Sequence, residues 1–154
     1  MRAAAALFAL LAGSAVSSGA EASEKVCYDL KVEATPIVQL PSEYPAGDPN
    51  VIVMEWPWFV DLKIKRVLEG TVPSRSISTL AVLHSAMPAK KRVWLLRRNT
   101  AGSYNVIRPD PATASRCGPG VAEAEPYLVP PIGKTYKDLR REAEAEFDRI
   151  QKEY

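Results

Sequence analysis

A mainly β domain, a small closed barrel finished by one C-terminal amphipathic helix, is what the sequence predicts, and three observations predict it. Several segments alternate apolar and polar residues with the two-residue period of a strand. One of them is long and slips its alternation partway, as a strand does when it bends round a narrow barrel. Residues 134–154 then change to spacings of three and four, the period of a helix with one apolar side.

The chain opens on a segment that is not expected to belong to the fold. Arg2 precedes residues 3–12 (AAAALFALLA), an apolar run about half the ~20 residues that crossing a bilayer requires. Ala20-Glu21-Ala22 then places small residues where a signal peptidase reads them, so residues 1–22 are expected to be a cleaved signal peptide. Cleavage after Ala20 is the second choice. Periplasmic or secreted localisation follows. No later segment is long and apolar enough to span a membrane, so no stable insertion is expected after cleavage.

Residues 23–133 are expected to form the barrel domain, with a long proline-rich loop, and residues 134–154 the helix. Residues 26–34 alternate strictly, with Val26, Tyr28, Leu30 and Val32 on one side, and read as a half-buried strand. Prolines at 36, 41, 45 and 49 make residues 35–50 a loop. After the short apolar run 51–54, Pro57 marks an edge or a bulge at the head of a long strand over residues 58–68, with Trp58, Val60, Leu62 and Ile64 inward. The alternation slips near Arg66, where Val67 and Leu68 are both apolar. Residues 76–84 form the next strand, with Ile77, Thr79, Ala81 and Leu83 on one face. Residues 92–98 and 104–107 make a hairpin about the turn 99–103. Residues 109–133 hold six prolines and no sustained period, so they are either tied down or functional. Thr135, with Asp138 three residues on, reads as a helix start, and Tyr136, Leu139, Ala143, Phe147, Ile150 and Tyr154 line one helical side.

The two cysteines, Cys27 and Cys117, both follow the predicted cleavage site. In an oxidising compartment an even pair reads as a disulfide. Closing so long a loop would favour the folded state by roughly 4 to 5 kcal/mol through lost chain entropy. A zinc site would need four closely spaced ligands, and the chain has one His and no Cys-x-x-Cys, so neither metal nor cofactor is expected.

The strand pattern, the slipped long strand, the terminal helix and the early Cys together suggest an OB-like closed β-barrel. Residues 60–70 (VDLKIKRVLEG), followed by 77–83, 93–96 and 104–107, resemble the netrin-module and tissue-inhibitor-of-metalloproteinase-like branch of that fold in its exported bacterial form. The similarity covers about half of the chain. What it implies is a fold and a habit of binding. Inhibitors of that family chelate their target's zinc through a Cys at the mature N-terminus. Here the expected start is Ser23 and Cys27 lies fifth, so that mode does not carry over.

Charge is uneven along the chain. Residues 63–116 carry eleven cations against Glu69 and Asp110, a net of +9, although the whole chain is only +2. Lys90, Lys91, Arg92, Arg97 and Arg98 around Trp94 have the ingredients of an anion-binding surface, charge and an aromatic plane. The plainer alternative is solvated strand ends whose charges discourage edge pairing. Trp56, before Pro57, is either buried or a surface anchor for a partner. No nucleic acid is expected as partner, because an exported protein rarely meets it; a protein or an anionic envelope component is. No enzyme is expected. His84 has no Ser or Cys in a nucleophile context, and Gly133-Lys134-Thr135 has Leu128 where a phosphate loop needs Gly. The expectation is a non-catalytic exported binding module. Its alternatives are a small secreted hydrolase and a structural envelope protein that associates through its helix.

Overall fold

The computed structural model describes residues 26–43, 52–108 and 113–153. The expected signal peptide at 1–22, the cleavage expected after it and the parts of the two proline-rich stretches at 44–51 and 109–112 lie outside the described residues, as does Tyr154. Seven strands and one helix follow in order: β1 (Cys27–Tyr28), β2 (Leu30–Pro41), β3 (Trp56–Glu69), β4 (Ser76–Leu83), β5 (Arg92–Arg98), β6 (Tyr104–Ile107), β7 (Ser115–Arg116) and α1 (Tyr136–Glu153). The fold is mainly β, an OB-like closed barrel with strand order β2-β3-β4-β6-β5. All neighbours are antiparallel except β4 and β6, which run parallel.

The inward positions expected from alternation fill the barrel. Leu30, Val32, Ala34, Trp58, Val60, Leu62, Ile64, Ile77, Ala81, Leu83, Trp94, Leu96, Tyr104 and Val106 form one buried cluster. Val26, placed on the same side by the pattern, is exposed because it precedes the first strand. Three register shifts let the long strands curl. Glu33 pairs with Arg66 and Ala34 with Ile64, so Lys65 is the extra residue, and the next shift leaves Leu68 unpaired. The slip in the apolar pattern near Arg66 is therefore a pair of bulges, and bulges are how a strand turns a corner.

Residues 35–41 correct the sequence reading. They continue β2 through Pro36 to Pro41 instead of forming a loop. Past Ala34, which pairs with Arg92, β5 no longer flanks β2, and the third register shift at Ile37 adds a bulge there. Edges and bulges are the places where a sheet tolerates proline. Pro57 obeys the same rule. It pairs only with Val82 of β4, and on its open side its carbonyl accepts from the Ser42 N–H and hydroxyl.

Outside the barrel a second apolar cluster seats the helix. Leu40, Phe59 and Leu80 project outward from three adjacent strands and pack with Ala143, Leu139, Phe147, Tyr136 and Leu128. Thr135 and Asp138 cap the helix reciprocally, the Asp138 N–H donating to Thr135 Oγ1 at 3.2 Å and the Thr135 N–H to Asp138 Oδ2 at 3.0 Å. Arg140 then clamps the helix to the wall with paired bonds of 2.8 and 2.7 Å to the two oxygens of Asp61.

Segment 113–133 is tied down, as a loop of that length must be. Cys117 is bonded to Cys27, and β7 pairs in parallel with β1. Asn105 Nδ2 donates to the Glu125 carbonyl, and Asn99 forms a bridge with Ala124.

Two outcomes test this packing. Replacing Cys27 and Cys117 together by Ser should lower unfolding free energy by about 4 kcal/mol in denaturant titration, because the closed loop is long. Burial alone would raise the Asp61 carboxyl, but hydrogen bonds from Arg140 and Ser78 and the Arg140 charge hold it below the usual aspartate value. A depressed folded-state pKa contributes stability above the unfolded value that is lost as pH falls through the folded one. Thermal stability should therefore drop on acidification below about pH 4, and Asp61→Asn should flatten part of that drop.

Candidate functional site

The cations and aromatics grouped by sequence are separated by the strand on which they lie. On β5, Trp94 and Leu96 turn inward, and Trp94 is 3% exposed with its Nε1–H donating 3.0 Å to the Ala34 carbonyl. It offers no stacking plane to a ligand. Arg97 is also buried, at 8% exposure, and its Nη1 donates to both Asp29 oxygens at 2.8 and 2.7 Å and contacts Cys117 Sγ at 3.0 Å. Its Nη2 donates to the Ala122 carbonyl. Arg97 is thus a buried tie that holds the 117–122 segment against β1 and β5. Lys90 and Lys91 lie just before β5, Arg92 at its start and Arg98 at its end, beside Tyr104. The guanidinium of Arg92 is engaged locally, 5.6 Å over the Trp94 ring and donating to the Pro88 carbonyl. Trp56 is half-buried, with its ring centroid 5.8 Å from that of Trp58.

His84 is exposed and its Nδ1–H donates to the Met54 carbonyl at 2.7 Å. Lys134 pairs with Glu142 at 2.8 Å and Thr135 caps α1, so the Gly133-Lys134-Thr135 motif serves as a helix start. Of the apolar side of that helix, Tyr136, Leu139, Ala143 and Phe147 pack on the chain's own barrel, whereas Ile150 is exposed.

Two surfaces remain as candidates. One is a cleft of about 330 Å³ at the disulfide end, between Gly70, Thr71, Arg98, Arg116 and Glu123, which adjoins a second concavity through Thr71, Arg98, Tyr104 and Glu123. Apart from Arg116, which has no ion-pair partner among the described residues, its charges cancel. Arg97 is paired with Asp29, and Arg98 lies 4.0 Å from Glu123.

The other surface is the outer wall of β3, β2 and β5 beyond the helix, and there charge does not cancel. β2 lies between the other two, with Glu33 opposite both Arg66 and Val93, and Lys31 opposite both Glu69 and Leu95. Arg66 reaches Glu33 Oε1 at 3.0 Å from one side, and Lys91 reaches Oε2 at 3.8 Å from the other. Lys31 pairs with Glu69 at 3.3 Å. Lys63 and Lys65, exposed on the outer side of β3, have no ion-pair partner among the described residues, nor has Lys90. Lys63, Lys65, Arg66, Lys31 and Lys91 therefore face two carboxylates. Lys63 is opposite Thr35 on one flank and Ser76 on the other, so it is an interior-strand residue and edge protection does not account for it. Of the group singled out from sequence, Lys91 belongs to this wall, with Lys90 next to it in the chain. Lys31, Lys63, Lys65 and Arg66 were missed, although the alternation Leu62-Lys63-Ile64-Lys65 already carried the signal for two of them.

Against protein-family models, curated proteins and solved structures the chain shows no match.

The buried tie of Arg97 and the open wall of Lys63 are separable by experiment. Arg97→Ala leaves Asp29 short of its buried cation and should destabilise the protein by about 3 kcal/mol in denaturant titration. Lys63→Ala, on an open face, should change stability by less than about 0.5 kcal/mol in the same titration.

Proposed function

We propose that this protein is an exported, non-catalytic binding module that recognises an anionic component of the cell envelope through the basic outer wall of β3, β2 and β5. The observation that carries this reading is the surplus of lysine on that wall, with Lys63 and Lys65 unpaired among the described residues and Lys91 reaching in from the far side. Unpaired cations concentrated on one face raise the local concentration of anions and steer them to it. The Cys27–Cys117 disulfide supports an oxidising compartment, as the leader-like residues 1–22 do. The strand order is that of an OB-like closed barrel, the fold that the netrin-module resemblance implies. No step of that family's zinc chelation is needed here.

The reading is tested with the envelope fraction of the native host. At low salt the protein should sediment with it, and Lys63→Glu, Lys65→Glu, Lys91→Glu combined should weaken retention by at least about tenfold, since each lost cation removes one counterion-releasing contact. His84→Ala should leave retention unchanged. Equal retention of the triple variant, with an unaltered melting curve, would remove the wall as the binding surface.

A further inference from the structure

We infer that the occupant of the basic wall is a flexible chain with phosphates in its backbone, lying across β3, β2 and β5 over Glu33; this rests on the reading of that wall as an anion-binding surface. Three observations on the wall select this ligand chemistry. First, the cations are spread over adjacent strands, not gathered round a pocket. Successive outward positions on a strand are about 7 Å apart and neighbouring strands about 5 Å apart, so the wall offers a band of charges for a repeating anion.

Second, the wall carries no exposed ring. Tyr127 is the one exposed aromatic among the described residues, and it lies on the loop before α1. Sugars and bases are gripped by stacking on such rings. A surface without them reads the charge of a chain and not its pendant groups, which favours chains whose charge is in the backbone. The exposed apolar residues on this side, Ile37, Val67 and Val93, are short. Lysine stems outreach them, and a closed barrel's wall is convex, so a bilayer would meet the lysines before any aliphatic group could insert.

Third, Glu33 shows how an anion is held there. Its carboxylate sits between the Arg66 guanidinium of β3 and the ammonium of Lys91, just before β5, and its side chain is 21% exposed. It satisfies from within two cations that a bound phosphate would otherwise engage. Removing its charge should therefore strengthen binding, an outcome that a purely structural role for the Arg66–Glu33–Lys91 group does not produce.

The probe is long-chain inorganic polyphosphate, titrated against the full chain with its disulfide formed. With about four phosphates neutralised, affinity should fall about fiftyfold between 50 and 200 mM salt. Lys63→Gln combined with Lys65→Gln should weaken binding about tenfold and make the salt dependence shallower. Glu33→Gln should bind roughly threefold tighter with a steeper salt dependence, as freed cations release more counterions. Weaker or unchanged binding by a folded Glu33→Gln variant would overturn the proposal. So would preference for vesicles of anionic lipid over polyphosphate at equal charge concentration. If polyphosphate is not bound while the triple lysine variant still loses envelope retention, the chain chemistry proposed here is wrong and the wall's role stands. Loss of neither would sink both.

Discussion

From Lys31 to Ala34, β2 is paired on both sides at once, with β3 along one edge and β5 along the other, and the barrel closes along this seam. All five strands can have two neighbours only if the sheet curls until its ends meet. The extra residues at Lys65 and Leu68 supply that curl on β3, and the bulge at Ile37 bends β2. Closure leaves a narrow interior that Trp58, Trp94 and the branched aliphatics fill, and it also brings β3 and β5 to the two flanks of β2. The basic wall is a by-product of the same seam. Without it Arg66 and Lys91 would have no common carboxylate to meet over.

The outer surface of the barrel is then divided by the helix. Where Leu40, Phe59 and Leu80 point outward, α1 covers them, and the Arg140–Asp61 pair marks the limit of that cover. Beyond it the outward residues of β3 are Lys63 and Lys65. At the disulfide end a second set of ties, Arg97 to Asp29 and Cys117 to Cys27, turns a proline-rich segment without strands of any length into a fixed part of the structure. Fixing that segment uses most of the charge there, which is why the cleft beside it is close to neutral while the wall is not.

How much of this was legible in the sequence differs between fold and site. Alternation alone placed Trp58, Val60, Leu62, Ile64, Ile77 and Ala81 inside, because a half-buried strand writes its two faces into every second residue. The slip at Val67 and Leu68 announced the bulges. The continuation of β2 past Pro36 was hidden, since proline breaks a strand in general and is tolerated where a neighbour is missing or a bulge falls, and both are properties of the assembled sheet. For the site, adjacency along the chain misled. Trp94, Arg97 and Arg98 are close in number to Lys91, yet one is core, one is a buried tie and one stands at the far end of the strand.

By itself, then, the chain's order of residues determined the local periods: which segments extend, which one coils, where the long strand bends, and that two sulfurs were available to join. These follow from interactions within a few residues, which composition and spacing express directly. Only the tertiary structure decided which charges share a surface and which are buried. That depends on the register between strands distant in sequence, where a shift of one residue exchanges inside for outside and no local pattern records the pairing.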